Sequence, residues 1–126
     1  MPAPTKKVTW SDLNERQQQY MLIIYEHDQI QESNAKSLMR FYQRSIPADQ
    51  WRWIEYSGMY DDNSYLKRDL KKAKLVDSGT GSTFEALRER GLILVKYDAS
   101  VLIRLTTPGR ALVRKVLKEQ TQEKEG

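Results

Sequence analysis

A dense group of basic residues stands in the second half of the chain. Five of them fall within eight consecutive positions that contain one acid, Asp69, and they are Lys67, Arg68, Lys71, Lys72 and Lys74. On a helix this spacing spreads positive charge over more than half of the circumference. Lysines and arginines so placed can neutralise phosphates, although a charge run is often only a solvated helix face. Contact with a polyanion is therefore the first hypothesis for this segment.

The positive charge of the whole chain is also concentrated in its second half. The 126 residues include 21 basic and 17 acidic side chains, for a net charge of +4. Residues 1–65 contain 7 basic and 9 acidic side chains, whereas residues 66–126 contain 14 and 8. The basic half favours a polyanionic partner. The acidic half leaves open a different use of the chain, as a protein-interaction module.

Residues that enzymes and metal sites commonly need are scarce. The chain has no cysteine and a single histidine, His27, which argues against thiolate metal sites, cysteine nucleophiles and catalytic triads. Asp61 and Asp62 are adjacent carboxylates of a kind that more often caps a helix than binds a metal. The glycine-containing segment 78–82 lacks the lysine of a nucleotide-binding P-loop. We therefore expect no enzymatic activity, no cofactor and no metal.

Apolar runs are short. The longest covers residues 20–25, far below the ~20 residues that cross a bilayer. The first seven residues, M-P-A-P-T-K-K, are not followed by the apolar stretch of a secretory signal. These features predict a cytoplasmic protein without a membrane partner.

The distribution of prolines and apolar residues along the sequence predicts a single domain over residues 11–120, with a flexible arm at 1–10 and a flexible tail at 121–126. Residues 11–44 lack proline and glycine, which predicts one long helix or two helices separated near residues 33–34. Thr9 or Ser11 is expected to cap its start.

Later segments alternate between strand and helix patterns. The alternating aromatic run predicts a strand, the two β-rich runs predict a hairpin, and proline after threonine predicts a helix start. The predicted ranges are a strand at 51–56, a helix at 64–74 capped by residue 62, 63 or 64, and hairpin strands at 92–97 and 101–106. The last helix is predicted to have Thr107 as its cap and Pro108 as its first residue, and to run to Gln120.

The stretch V-D-S-G-T-G-S-T-F-E-A-L-R-E-R-G-L-I at 76–93 carries the clearest local signals. Gly79 and Gly81 predict a tight turn with positive φ. Ser82 and Glu85 match a capping box, which predicts a helix that starts near residue 82. Gly91 fits the position after the end of that helix, with Leu92 folding back on it.

Aromatic residues are concentrated between positions 51 and 65. They are Trp51, Trp53, Tyr56, Tyr60 and Tyr65. Packing between the long helix and the sheet is the favoured interpretation, and stacking on bases or on a ligand is the alternative.

The order of these elements resembles a winged helix-turn-helix domain. The run F-E-A-L-R-E-R-G-L-I, a hairpin, and then R-L-T-T-P-G-R-A-L-V resembles the recognition helix, wing and last helix of MarR-like regulators. The resemblance covers residues 64–117 and implies an α+β fold with a long N-terminal helix, a three-stranded sheet and a C-terminal helix. About thirty residues, 28–61, stand where MarR-like proteins have a short link, so their dimerisation and phenol sensing are not transferred.

The resemblance implies a sequence-specific, double-stranded DNA-binding protein that acts as a transcriptional regulator. Helix 82–90 would enter the major groove, with backbone contacts from the basic cluster and the wing. The residues so implied are Lys67, Arg68, Lys71, Lys72, Thr80, Ser82, Thr83, Arg88, Lys96 and Tyr97. Arg88 has an alternative role, in which it pairs with Glu85 and Glu89 on the helix surface.

The first and last helices are candidates for a homodimer interface, which would place two recognition helices about one DNA turn apart. The alternative is that these helices pack on each other within one chain. We expect the dimer. The rival to DNA binding is a winged helix that docks another protein through its acidic, aromatic N-terminal half.

Overall fold

Helices pack with a small antiparallel sheet in a computed structural model, which describes residues 8–58, 64–97 and 99–125. The helices are α1 (Glu15–Tyr42), α2 (Tyr65–Lys72), α3 (Thr80–Glu89) and α4 (Thr107–Glu125), and the strands are β1 (Ile54–Ser57), β2 (Ile93–Tyr97) and β3 (Val101–Leu105). Single 3-10 turns occupy Trp10–Asp12 and Ala48–Gln50. The predicted α+β class is confirmed.

Helix α1 is continuous through all 28 residues, so the break considered near residues 33–34 does not occur. Its cap is Asn14, whose side chain accepts a hydrogen bond from the backbone N–H of Gln17, while Gln17 reaches back to the backbone of Asn14. This reciprocal pair is a capping box. Thr9 instead caps the 3-10 turn that precedes the helix.

The sheet has the strand order β1–β3–β2, and both pairings are antiparallel. The predicted hairpin is confirmed, with Ile93 opposite Leu105 and Tyr97 opposite Val101. Strand β1 begins three residues later than the aromatic pattern predicted, and its register shifts between Glu55 and Ser57. The alternation at 51–53 therefore does not represent a strand.

The core joins α1 to every later element. Tyr20 is fully buried and lies edge-on to Phe84 of α3 at 5.5 Å between ring centroids, and Tyr56 of β1 contacts the same ring at 5.0 Å. Leu66 and Leu70 bury the inner side of α2 in the same cluster. The sheet contributes Ile93 and Ile103, both fully buried, with other apolar side chains around them.

Helices α1 and α4 lie side by side and point in the same direction. Asp28 pairs with Arg110, and one turn further along, Glu32 pairs with Arg114, each at 2.7 Å. The helices predicted as a dimer interface therefore pack against each other within one chain. Leu117 remains partly exposed on α4.

Helix α4 starts one residue earlier than predicted. Thr106, rather than Thr107, is the cap, because its Oγ1 accepts a hydrogen bond from the backbone N–H of Gly109 at 3.0 Å. Gly109 is required by a close approach: a Cβ at this position would lie 2.1 Å from the carbonyl oxygen of Leu92.

The ends of the domain differ from the predicted boundaries. Val8 and Trp10, which were predicted to belong to the flexible arm, pack against the core, and residues 1–7 lie outside the described ranges. Helix α4 continues to Glu125, through most of the predicted tail. No helix in the described ranges has both the length and the apolar character needed to span a membrane.

Candidate nucleic-acid interface

Helix α2 carries the basic cluster, and its ends are set by local hydrogen bonds. Ser64 caps the start by accepting from the backbone N–H of Lys67 at 3.2 Å, and its hydroxyl donates to the carbonyl oxygen of Tyr56 at 2.6 Å. The helix ends at Lys72, and Lys74, two residues further on, is left-handed at φ 60°. The N–H groups of Lys74 and Leu75 then close the last turn, as in a Schellman motif.

The basic residues of α2 occupy two flanks of the helix. Successive helical residues are about 100° apart, so Lys67 and Lys71 lie on one side of the buried leucines and Arg68 and Lys72 lie further round, whereas Lys74 lies beyond the end of the helix. Lys67 Nζ is 5.3 Å from the ring of Tyr56, and Arg68 is 5.4 Å from the ring of Tyr65. The sequence correctly indicated a basic helix, but not this division.

The link between α2 and α3 is held by Arg16 of α1. Its guanidinium donates to Asp77 at 2.7 and 3.0 Å, to the carbonyl oxygen of Leu75 and to Thr83 Oγ1. The hydrogen bond to Asp77 raises the pKa of Arg16 above its ordinary value and lowers that of Asp77. No local sequence pattern indicates a role for Arg16, because these partners are about sixty residues away.

The predicted glycine turn and capping box are both wrong. Helix α3 begins at Thr80, with Gly79 as its cap at φ −91°, and Gly81 is helical. Ser82 therefore lies inside the first turns and donates to the carbonyl oxygen of Gly79 at 3.0 Å. The Asp77 carboxylate organises the link instead, since it accepts from the backbone N–H of Gly79 at 2.7 Å.

Two of the predicted contact residues face the interior. Thr80 and Thr83 are buried, each 7% exposed. Thr80 Oγ1 bonds to the hydroxyl of Tyr20 and to the backbone N–H of Asp77, and Thr83 donates to the carbonyl oxygen of Gly79. They share one helix face with Phe84 and Leu87 at i, i+3, i+4 and i+7, a pattern that could have excluded them.

The outer face of α3 carries a small polar cluster. Arg88 donates twice to Glu85 Oε2, at 2.9 and 2.7 Å, and Tyr97 at the end of β2 donates to Glu85 Oε1 at 2.7 Å. The hydrogen bonds from Arg88 and Tyr97 lower the pKa of Glu85. Burial, and then the hydrogen bond to Glu85, raises the pKa of Tyr97. Arg88 thus adopts the surface pairing with Glu85 that the sequence offered as its alternative role.

The end of α3 follows the predicted pattern. Gly91 has φ +75°, and the N–H groups of Gly91 and Leu92 donate to the carbonyl oxygens of Arg88 and Leu87. This is the Schellman motif inferred from glycine followed by leucine. It turns the chain into β2, where Lys96 and Tyr97 are exposed next to the hairpin turn.

The aromatic segment is divided between packing and exposure. Tyr56 is buried, while Trp51 and Trp53 are covered by guanidiniums, Arg110 at 4.6 Å and Arg104 at 4.3 Å from the ring centroids. Tyr65 is 77% exposed, with Arg68 over its ring, and Tyr60 lies outside the described residues.

The single histidine has a structural partner. His27 Nε2 lies 2.7 Å from Asp69 Oδ2 and joins α1 to α2. No group of three metal-binding side chains occurs in the part of the chain that the structure describes, which does not include Asp61 and Asp62. No protein-family model, curated protein or solved structure matches the chain.

Proposed function

We propose that the chain is a winged helix-turn-helix protein that binds double-stranded DNA sequence-specifically and acts as a transcriptional regulator. Two helices joined by a short link, α2 and α3, precede an antiparallel hairpin whose inner strand pairs with β1. In this interpretation α3 is the helix that enters the major groove and the hairpin is the wing.

The observation that carries the proposal is the exposed face of α3 and its surroundings. Ser82 and Arg88 are exposed on α3, Lys71 and Lys72 are exposed on the helix before it, and Lys96 is exposed on the hairpin after it. Solvent-facing donors and cations thus occur on three consecutive elements. This distribution suits a phosphate backbone on both sides of a helix that reads bases.

The structure reduces the set of residues assigned to base contact. Thr80 and Thr83 are used inside the fold, so they are removed from the interface. Ser82 and Arg88 remain, and Arg88 must exchange Glu85 for a phosphate or a guanine edge when DNA binds. A bidentate contact to guanine contributes about 1–3 kcal/mol of discrimination.

The proposal is tested by titrating random duplex DNA at several salt concentrations. Each lost phosphate contact lowers the slope of log K against log salt by ~0.9, so the Lys71→Ala/Lys72→Ala variant should lower the slope by up to about 2. The matched control is Lys115→Ala/Lys118→Ala, which removes two exposed charges from α4. No duplex binding at low salt, or equal effects of both variants, would contradict the proposal.

A second candidate function is docking of another protein through the N-terminal half. One observation favours it: Leu38, Phe41 and Tyr42 near the end of α1 are 48%, 79% and 59% exposed. Large apolar side chains that cluster on a surface commonly mark an interaction site. The Phe41→Ser variant should lose binding of such a protein partner and retain duplex binding. The Lys71→Ala/Lys72→Ala variant should retain the protein partner and lose duplex affinity.

A homodimer remains part of the proposal. The faces of α1 and α4 that contain Asp28 and Arg110 are occupied within the chain, so a second copy would use the exposed side chains near Phe41. Light scattering across a concentration series measures the oligomeric state directly. A monomer at all concentrations would remove the expectation of a palindromic DNA site.

A further inference from the structure

A groove crosses the side of the molecule where α1 faces β1 and the start of α2. It consists of two adjoining clefts of about 630 and 680 Å³, which share Gln31 and Arg52 as lining residues. One cleft continues to Arg44, and the other to Tyr65 and Arg68. We call the two together the α1 groove. Its wall follows α1 from His27 to Leu38, a length of about 16 Å at 1.5 Å per residue.

The described lining of the α1 groove carries more positive than negative side chains. Arg44, Arg52 and Arg68 line it, and Glu55 is the one carboxylate among its described lining residues. Within the described ranges none of the three arginines forms an ion pair. These guanidiniums are available to an anionic ligand.

Exposed tyrosines lie at both ends, each with the guanidinium of an arginine over one face of its ring. At one end Arg68 is 5.4 Å from the ring of Tyr65, which is 77% exposed. At the other end Arg44 is 6.0 Å from the ring of Tyr42, which is 59% exposed. Each pair places an exposed aromatic ring next to a positive charge.

The two tryptophans that border the groove serve another purpose. Arg110 covers Trp51 and Arg104 covers Trp53, and both tryptophans are only half-exposed. Stacking inside the groove is therefore limited to the tyrosines at its ends. The ligand must be long enough to reach at least one of them from Arg52.

We propose that the α1 groove binds single-stranded nucleic acid, with phosphates on Arg44, Arg52 and Arg68 and unpaired bases stacked on Tyr65 and Tyr42. Stacking on an aromatic ring beside a positive groove is how single strands are held without base-specific contacts. The carboxylates of an acidic peptide can pair with the arginines, but they do not stack on the tyrosine rings at the two ends. A duplex keeps its bases stacked on each other and cannot use those rings. The proposal is independent of duplex binding by α3.

Titration of a fluorescein-labelled oligothymidine with the full chain tests the proposal, with fluorescence anisotropy as the measurement. Tyr65→Leu should weaken binding about fivefold or more, and Tyr65→Phe should leave it unchanged, because stacking needs the ring and not the hydroxyl. Arg52→Ala should weaken binding by a similar factor. Both side chains are exposed, so unchanged melting temperatures are expected for all three variants.

Matched measurements separate this site from the duplex interface. The Lys115→Ala/Lys118→Ala variant is the charge control and should bind the oligothymidine as the unaltered chain does. Duplex affinity should change less than twofold in Tyr65→Leu, so loss of duplex binding alone concerns α3 and not the groove. Three results would overturn the groove proposal: no binding of oligothymidine, equal affinities of Tyr65→Leu and the unaltered chain, or preferential binding of an oligoglutamate peptide through Arg52.

A fourth result would also overturn it. If the Tyr65 and Arg52 variants abolish self-association seen by light scattering and leave oligothymidine binding intact, the groove belongs to an interface between two copies of the chain.

Discussion

The buried ion pair between Asp28 and Arg110 should affect stability differently when one partner is removed and when both are removed. The two side chains are 3% and 6% exposed and form two parallel hydrogen bonds of 2.7 Å. The guanidinium also lies 4.6 Å from the ring centroid of Trp51. Replacement of Arg110 by methionine keeps much of its volume but leaves the Asp28 carboxylate buried without a cation.

Breaking a buried pair by removing one partner costs about 3–5 kcal/mol, so Arg110→Met should lower the free energy of unfolding by about that amount. With a urea slope of about 1–3 kcal/mol/M, the midpoint should fall by roughly 2 M. The double variant Asp28→Leu/Arg110→Met removes both charges together, and should regain most of the lost stability. Urea titrations followed by far-ultraviolet circular dichroism supply all of these values.

The control is the same substitution one turn further along α4. Arg114 pairs with Glu32 at the same distance, but its side chain is 47% exposed, so Arg114→Met should cost about 1 kcal/mol or less. Equal costs for Arg110→Met and Arg114→Met would refute the argument from burial. Additive costs of the Asp28 and Arg110 substitutions would show that the two side chains are not coupled.

Two further predictions concern a glycine and a carboxylate. Gly109→Ala should lower the free energy of unfolding by about 1–3 kcal/mol, because its Cβ would meet the Leu92 carbonyl oxygen. Gly81→Ala, whose Cβ would have no atom within 4 Å, should raise the free energy of unfolding by about 0.5–1 kcal/mol. Urea titrations in which both substitutions change stability in the same direction would contradict this contrast. Asp77 has a pKa that Arg16 lowers below 3.8, so its stabilisation is present above pH 3.8 and is lost as the pH falls through the lowered value. Asp77→Asn should therefore be less stable than the unaltered chain at pH 7, with a difference in melting temperature that shrinks below pH 3.8; a difference independent of pH would contradict this role.

Local hydrogen-bonding patterns could be predicted from the sequence because the bonded residues are close along the chain. Gly91 followed by Leu92 identified a helix end, since the motif involves residues only three to five positions apart. The hairpin at 92–106 was predicted for the same reason. The predicted caps of α1, α3 and α4 were wrong, because Asn14, Gly79 and Thr106 have neighbours of similar capping ability.

The sequence by itself determined the α+β class, the existence and approximate ranges of the helices and the hairpin, and the concentration of positive charge on α2. Only the tertiary structure decided which side chains remain available to a ligand. Arg16 meets Asp77 across 61 positions and Arg110 meets Asp28 across 82, and no local pattern encodes such distant partners. For that reason Thr80 and Thr83 turned out to be interior, Arg88 to be paired, and the arginines of the α1 groove to be open to solvent.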